Sequence, residues 1–580
     1  MRICLVTPFS WSQPHDVNEH VSGLAAGLRT IGHSVTVLAP SGRAGDLLAG
    51  RRALQDGSAE PDVIALGPTL PISRRSQIGV PVGVRANLAL ALSRGRFDVV
   101  HGFEPGLPSL SYLALRESRA LAAATFFSAE RLAYPPARAR RERLLGRTDA
   151  LLAISESVAA AAAERFPGDF RVVSPGVDVE LFRPGSKRKL AVLEWRPGDR
   201  ALVRAVLRVM PELPDWELVI LRTKPLTARP TIPLSLRDRA RVRTLRDGSS
   251  RAPLLNEAEI FLPSPTGLAR VALEARAAGA AIADPPGLSE QPELGAAALA
   301  RLAENDELRA RLGRESREQA ERQDFGSLAY EHDALYRALA KRRRATRPSK
   351  RDARDPLEGR DWILCDLHMH TAWSHDCAIE TGDLLDQAEA IGLGGIAVTD
   401  HNVFGGALEA VELARGRDLI VIPGEEVKTD GQGEVIGLFL QEEIPRGMTF
   451  ADTVGAIRDQ GGLVYVPHPF DRLHSIPDPA TLHRHLAEID VLEVYNARLL
   501  RETFNDEALR FARKYRLLQG AGSDAHVLQG VGTGVVRMRR FDGPEEFLLS
   551  LRTAEILRRP KSLAYLQSLK WVAQVKERVL

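Results

Sequence analysis

At 580 residues the chain is too long for one hydrophobic core, and its length calls for roughly three or four domains of ordinary size. An apolar fraction of 44%, a charged fraction of 26% and 78 basic against 75 acidic residues describe a globular protein and do not indicate a nucleic acid partner. Three cysteines, Cys4, Cys365 and Cys377, make no disulfide framework, the start MRICLVTPFS lacks the features of a signal peptide, and no uncharged apolar run reaches the roughly 18 residues of a membrane span, so a cytoplasmic protein without a membrane span is expected.

From Met1 the pattern runs short apolar strand, loop, amphipathic helix, strand: RICLV, NEHVSGLAAGLRTIGH, SVTVLAP, then DVVHG and AAATFF. Strands alternating with helices predict an α/β fold with a doubly wound, Rossmann-like parallel sheet over 1–180. After the turn-rich SPGVDVELFRPG the pattern repeats with WELVIL, AEIFLPS and AAIAD, giving a second, shortened Rossmann-like domain over 181–340. The segment KRRRATRPSKRDARDPLEGR has no apolar periodicity and reads as a basic linker over 341–360. A third α/β domain is expected over 361–560. The closing SLAYLQSLKWVAQVKERVL has apolar residues at helical spacing and reads as a docking helix over 561–580.

Nine of the 14 histidines follow Asp361. WILCDLHMH, GGIAVTDH, LIVIPGEEV, GLVYVPHP, VLEVYN and LLQGAGSDAH are apolar runs that end in His, Asp, Glu or Asn, with helical stretches such as ETGDLLDQAEAIG between them. Strand and helix units with polar residues at the carboxyl ends of the strands predict a β/α barrel whose site lies at that end. Side chains alternate along a strand, so His368 and His370 share a face, as do Asp524 and His526. Imidazole and carboxylate without paired thiolates suit zinc, manganese or iron rather than calcium. A phosphoester would also need cationic grips, and Arg472 in HPFDR and Arg498 in YNAR follow strand ends and are the candidates for that catalytic task.

DLHMHTAWSHD, TDHN, GEE, HP and GSDAH, in this order, resemble the motifs of the polymerase and histidinol phosphatase (PHP) family of metal-dependent phosphoesterases. The resemblance spans about Asp361 to Leu557. It implies a distorted seven-unit barrel with two or three divalent metal ions (manganese, zinc or iron), and it implies metal-ligand roles for His368, His370, Asp376, His401, Glu426, His468, Asp524 and His526, with Glu425 as the fallback for Glu426. Where many members place a further histidine, this chain has Glu434. The implied reaction is hydrolysis of a phosphate monoester or nucleotide-type phosphoester by a metal-bound hydroxide, the partner being a phosphorylated small molecule or nucleotide. His375, His483, His485, Cys365, Cys377 and the Gly530, Gly532, Gly534 loop are read as structural.

Over about Met1 to Leu339 the chain resembles GT-B retaining glycosyltransferases, on MRICLVTPFSWS, HGFEPGLPSL, VVSPGVDVELFRPG and LEARAAGAAIADPPGLSE. Four departures stand at donor or acceptor positions. Pro14-His15-Asp16 replaces a Gly-Gly turn, Phe127 stands where related members have histidine, Thr266 and Glu274 occupy the positions of a glutamate pair, and EWRPGDR keeps Arg196 without a following lysine. The expectation is an inactive transferase-like scaffold or targeting unit for a glycan or protein partner. The alternatives are a bifunctional protein that still transfers sugar from a nucleotide sugar, and a pure binding module.

Overall fold

Ile3, Cys4, Leu5 and Val6 are completely buried, as a strand covered on both faces must be. The computed structural model describes residues 1–56, 62–71, 79–81, 83–196, 198–223, 229–265, 269–343, 357–472 and 476–559. Most of the expected linker, the expected docking helix at 561–580 and Thr266 lie outside the described residues. The chain divides into two units, Met1–Leu339 and Ala340–Leu580.

The first unit holds two parallel sheets. The seven-stranded one runs in the order Val63–Ala65, Ser34–Ala39, Arg2–Val6, Val99–Phe103, Leu121–Phe126, Ala150–Ala153, Phe170–Val172. The strand order reverses between Arg2–Val6 and Val99–Phe103, the doubly wound pattern that opens a crevice at the carboxyl ends of those strands. The five-stranded sheet runs Ala240–Thr244, Glu217–Arg222, Arg188–Trp195, Ala258–Leu262, Ala281–Ile282. Its central strand, Arg188–Trp195, is missing from the expected strands. Its apolar run is only Leu190 to Leu193, flanked by Lys189 and Glu194, and the buried Glu194 is paired with Arg196 at 3.0 Å. The helix Phe325–Lys341 packs back on the first sheet. Tyr336 Oη lies 2.7 Å from His101 Nδ1, and the Phe325 ring fills the space where a Cβ on Gly23 or Gly176 would come within 2.2 or 2.6 Å of it.

In the second unit a ring of strands forms, β1 (Trp362–Met369), β2 (Gly395–Val398), β3 (Ile420–Lys428), β4 (Glu434–Leu438), β5 (Leu463–Val466), β6 (Val491–Asn496) and β7 (Leu518–Gly522). Neighbours are parallel except β4, which is antiparallel to both β3 and β5. The reason is length: only residues 429–433 join β3 to β4, too few for a parallel crossover of a dozen or more. The ring is drawn together where Asp524 N donates to His368 O at 2.8 Å and His370 N donates to Ala525 O at 3.2 Å. The result is a nearly closed, barrel-like sheet, with β8 (Gly534–Arg539) and β9 (Glu555–Arg558) added antiparallel on the outer edge of β1.

Leu367, Ala397, Ile436, Tyr465, Val491 and Ala521 belong to the apolar core of this sheet. The seam beside it is tight: a Cβ on Gly534 would stand 2.2 Å from Gly522 O, a backbone atom that cannot swing away. Gly534→Ala is therefore expected to destabilise the barrel by about 1–3 kcal/mol. Thermal melting checks this, and an unchanged midpoint would contradict it.

No helix among the described residues is long and apolar enough to cross a membrane.

Candidate metal centre

The carboxyl ends of the ring strands gather most of the expected site residues. His368 and His370 come from β1, His401 follows β2, Glu426 lies in β3, His468 follows β5, Arg498 follows β6, and Asp524 and His526 follow β7. Two of these positions are held in the left-handed backbone region, His468 at φ 25° and Asp524 at φ 52°. Such conformations cost roughly 1–3 kcal/mol each and persist where the surroundings fix them.

His368 Nε2 and His370 Nε2 are 3.2 Å apart, and Glu426 Oε2 lies 3.3 Å from the first and 3.5 Å from the second. Asp524 Oδ1 is 3.5 Å from His370 Nε2, His468 Nε2 is 3.1 Å from Glu426 Oε1, and His401 Nδ1 is 3.0 Å from Glu426 Oε2. On the outer side Asp376 joins His526 at 3.0 Å and His401 at 3.8 Å. Three groupings bring their donor atoms within 4.8 Å of one another: His368, Glu426 and His468; His368, His370 and Asp524; His370, His401 and His526.

These rings are aimed from behind. Glu493 Oε1 lies 3.1 Å from His368 Nδ1 and accepts from Tyr465 Oη at 3.0 Å, while Glu493 Oε2 accepts from His468 N at 2.8 Å and Asn496 Nδ2 at 3.0 Å. Ser374 Oγ lies 3.3 Å from His370 Nδ1 and donates to Asp400 Oδ1 at 2.6 Å, and Asp400 also accepts from the Thr371 amide and hydroxyl. Asp366 accepts from the amides of Ser523 and Gly532, both at 2.9 Å, fastening the segment that carries Asp524 to the base of β1. Sequence reasoning did not single out Glu493, Ser374, Asp400 or Asp366. The available signal was that each is a polar residue within four positions of a motif histidine or asparagine, Asp400 standing directly beside His401.

With both Nδ1 atoms turned to Glu493 and Ser374, the hydrogen-bond network assigns His368 and His370 tautomers whose Nε2 lone pairs face each other and Glu426. Buried acceptors at these distances need a shared cation, and a borderline divalent ion suits imidazole and carboxylate donors. The residues present therefore fit the metal that the motifs imply.

In the protein alone the same carboxylates draw a proton onto His368 in place of an ion. Burial disfavours charge on His368, yet Glu493 and Glu426 outweigh it and raise that imidazole well above its ordinary range. Burial, with His526 and His401 beside it, holds His370 well below. Burial opposes ionisation of Glu426 and Asp524, but His368 and His401 for the first, and Arg498 and His368 for the second, keep both carboxyls well below the usual range.

Arg498 meets Asp524 Oδ1 at 3.0 Å and His526 at 3.2 Å, with its other amino group 4.0 Å from Asp376. Arg472 is half-buried in the loop after His468. Glu425 points to the opposite side of β3 and accepts from the Ile444 amide at 2.8 Å, and burial pushes its carboxyl up to about 7. Glu434 Oε2 stands 3.8 Å from His468 Nε2, at the edge of the cluster. His375 is exposed, 5.8 Å in ring centroids from His401. His483 meets Tyr515 Oη and His485 meets Glu488, and all three cysteines are buried thiols. In the glycine loop the Gly532 amide is given to Asp366, which leaves no phosphate cradle there.

In the first unit His15 caps the helix Asp16–Thr30, accepting from Val17 N, and stacks on Phe9 at 3.4 Å. Phe127 lies edge-on to His20 at 5.0 Å. His101 is fully buried between Thr125 Oγ1 and Tyr336 Oη. Arg196 is spent on Glu194, and Glu274 is fully buried against Arg251, which reaches its two oxygens at 2.6 and 2.7 Å.

Comparison with known proteins adds the following. Residues 366–498 match the family model described as PHP domain, residues 502–556 the model described as PHP-associated, and residues 17–181 the model described as Glycosyltransferase Family 4. An uncharacterized protein of Methanocaldococcus jannaschii is 34% identical over 211 residues, covering 34% of this chain and 84% of that protein. A phosphatidyl-myo-inositol mannosyltransferase of Propionibacterium freudenreichii is 30% identical over 304 residues, covering 49% of this chain and 76% of that protein. Among solved structures, sucrose-phosphate synthase from Thermosynechococcus elongatus is 16% identical with a TM-score of 0.43, over 59% of this chain and 100% of its own.

Proposed function

Since the chain belongs to the PHP domain family through residues 366–556, a phosphoesterase-type module joined to a glycosyltransferase-like region, we propose that its second unit hydrolyses a phosphate monoester or a nucleotide-type phosphoester. The observation that carries this reading is the facing pair of His368 and His370 ring nitrogens, 3.2 Å apart over Glu426. His368, His370, Glu426, His468, His401, Asp376, Asp524 and His526 are the residues that would hold divalent ions. Such ions would offset phosphate charge and raise the acidity of a bound water.

The chain's own contributions are binding and aim. Arg498, with a side chain 21% exposed, presents a planar cationic fork beside the cluster, suited to the oxygens of a phosphate that do not react. Its bond to Asp524 fixes that carboxylate, so the same residue orients the cluster and grips the substrate. Glu493 and the pair of Asp400 and Ser374 hold the two β1 imidazoles in one tautomer and one orientation, which suits a site that must be assembled before substrate arrives.

The first unit is proposed as a scaffold or targeting module without sugar transfer. Support comes from Glu274 and Arg196, the two retained residues of the donor pattern, both committed to internal ion pairs.

The test is phosphate release by the purified full chain from p-nitrophenyl phosphate and from a nucleoside monophosphate. Turnover is expected with manganese, zinc or iron, is expected to vanish after dialysis against a chelator, and should return when metal is restored. Full turnover in the chelated protein would sink the proposal.

A further inference from the structure

Glu19, in the helix Asp16–Thr30 of the first sheet, reaches groups that belong to the second sheet of the same unit. Its Oε1 accepts from Gly248 N at 3.1 Å, and Gly248 is the first residue of the helix Gly248–Glu257. Its Oε2 pairs with Arg251 at 3.1 Å and with Arg270 at 2.9 Å. Arg251 is fully buried, and both arginines also bind the fully buried Glu274, Arg251 through two oxygens and Arg270 at 3.1 Å. Arg270 further donates to Asp16 O at 2.7 Å.

A helix-terminal amide and two converging guanidinium groups are the surroundings in which proteins bind phosphate-like anions. Here the anion is a carboxylate of the chain itself. Glu19 and Glu274 pair with the two arginines, the Asp16 carboxylate also acts on Glu19 and Arg251, and the side chains of the four paired residues are 20% exposed or less. Removing one partner of such a buried network leaves the others uncompensated.

We infer that Glu19 is a built-in occupant of an anion site between the two lobes of the first unit, a clasp that fastens the lobes together and denies the site to external phosphate or diphosphate groups. The inference concerns the first unit alone and stands whether or not the second unit hydrolyses phosphoesters. A tethered carboxylate competes at an effective concentration set by its position, so its removal should raise the apparent affinity for a free anion on the order of tenfold or more.

The experiment uses the full chain with Glu19→Gln and Glu19→Ala and inorganic pyrophosphate as probe. Calorimetry is expected to detect weak or no binding in the wild type and binding at least about tenfold tighter in both variants. Hydrogen exchange should also quicken in the helices Asp16–Thr30 and Gly248–Glu257, with phosphate release by the second unit unchanged. Equal pyrophosphate affinity in wild type and variants, or unchanged exchange in the two helices, would overturn the inference. Glu19→Gln keeps the shape and one acceptor; if it too failed to fold, the contact would be a requirement of folding and the clasp reading would be wrong.

Discussion

Replacing His368 and His370 together by alanine is expected to lower phosphate release by about a thousandfold or more, the several kcal/mol that metal-assisted charge stabilisation supplies. These two rings participate in all three groupings of donor atoms, so no grouping stays complete without them. The loss should appear in two readouts, steady-state turnover with added metal and bound metal per chain measured by elemental analysis, both falling together. Circular dichroism and melting must confirm a folded chain, since the double change also deprives Glu426, Glu493 and Asp524 of partners. Retained turnover in a folded double variant would place the chemistry elsewhere.

Glu493→Ala should have the next largest effect although Glu493 touches the cluster only from behind. Its two oxygens satisfy His368 Nδ1, Tyr465 Oη, His468 N and Asn496 Nδ2, and alanine would leave four buried groups without that acceptor. Each such loss costs roughly 1–3 kcal/mol where water cannot enter, so a fall in stability of about 3 kcal/mol or more is expected. Metal affinity should weaken about 10- to 100-fold, because the His368 ring loses the partner that sets its tautomer. Glu493→Gln is the control: it keeps the shape and one acceptor oxygen and should recover much of the stability and less of the affinity. Denaturant melts and metal titration check the pair. Wild-type metal affinity in Glu493→Ala would remove Glu493 from this role.

The sequence and the structure part company in informative places. The positions of His368, His370, His401, Glu426, His468, Asp524 and His526 were legible because each ends an apolar run or follows one directly, and a barrel brings such ends to one mouth. Glu493 was not, because it lies inside the apolar run VLEVYN, where a lone carboxylate gives no hint that four donors from β1, β5 and β6 will converge on it. The direction of β4 was also hidden, since an apolar run has no polarity; the short connection at 429–433 carried the information. Arg188–Trp195 was missed because Lys189 and Glu194 flank its apolar centre, and the pairing that lets Glu194 be buried is visible only in three dimensions. The four departures from the transferase pattern were visible in the sequence. What fills that cleft was not: Arg270 stands four residues before Glu274 on one helix, but Arg251 and, through it, Glu19 join them from places that no spacing rule connects.

The seam of the barrel has a kinetic meaning. Met369 meets Ala525 across roughly 150 residues of chain, and bringing such distant ends together costs entropy that local contacts do not repay until late. The β3 and β4 strands, joined by the short connection 429–433, can pair early, whereas β1 must wait for β7. The seam is also where His368, His370, Asp524 and His526 stand, so an ion bound there would act as a clip on the longest loop of the unit. Metal added during refolding should then speed the last phase of barrel assembly, and metal removed from the native protein should hasten its unzipping from that edge.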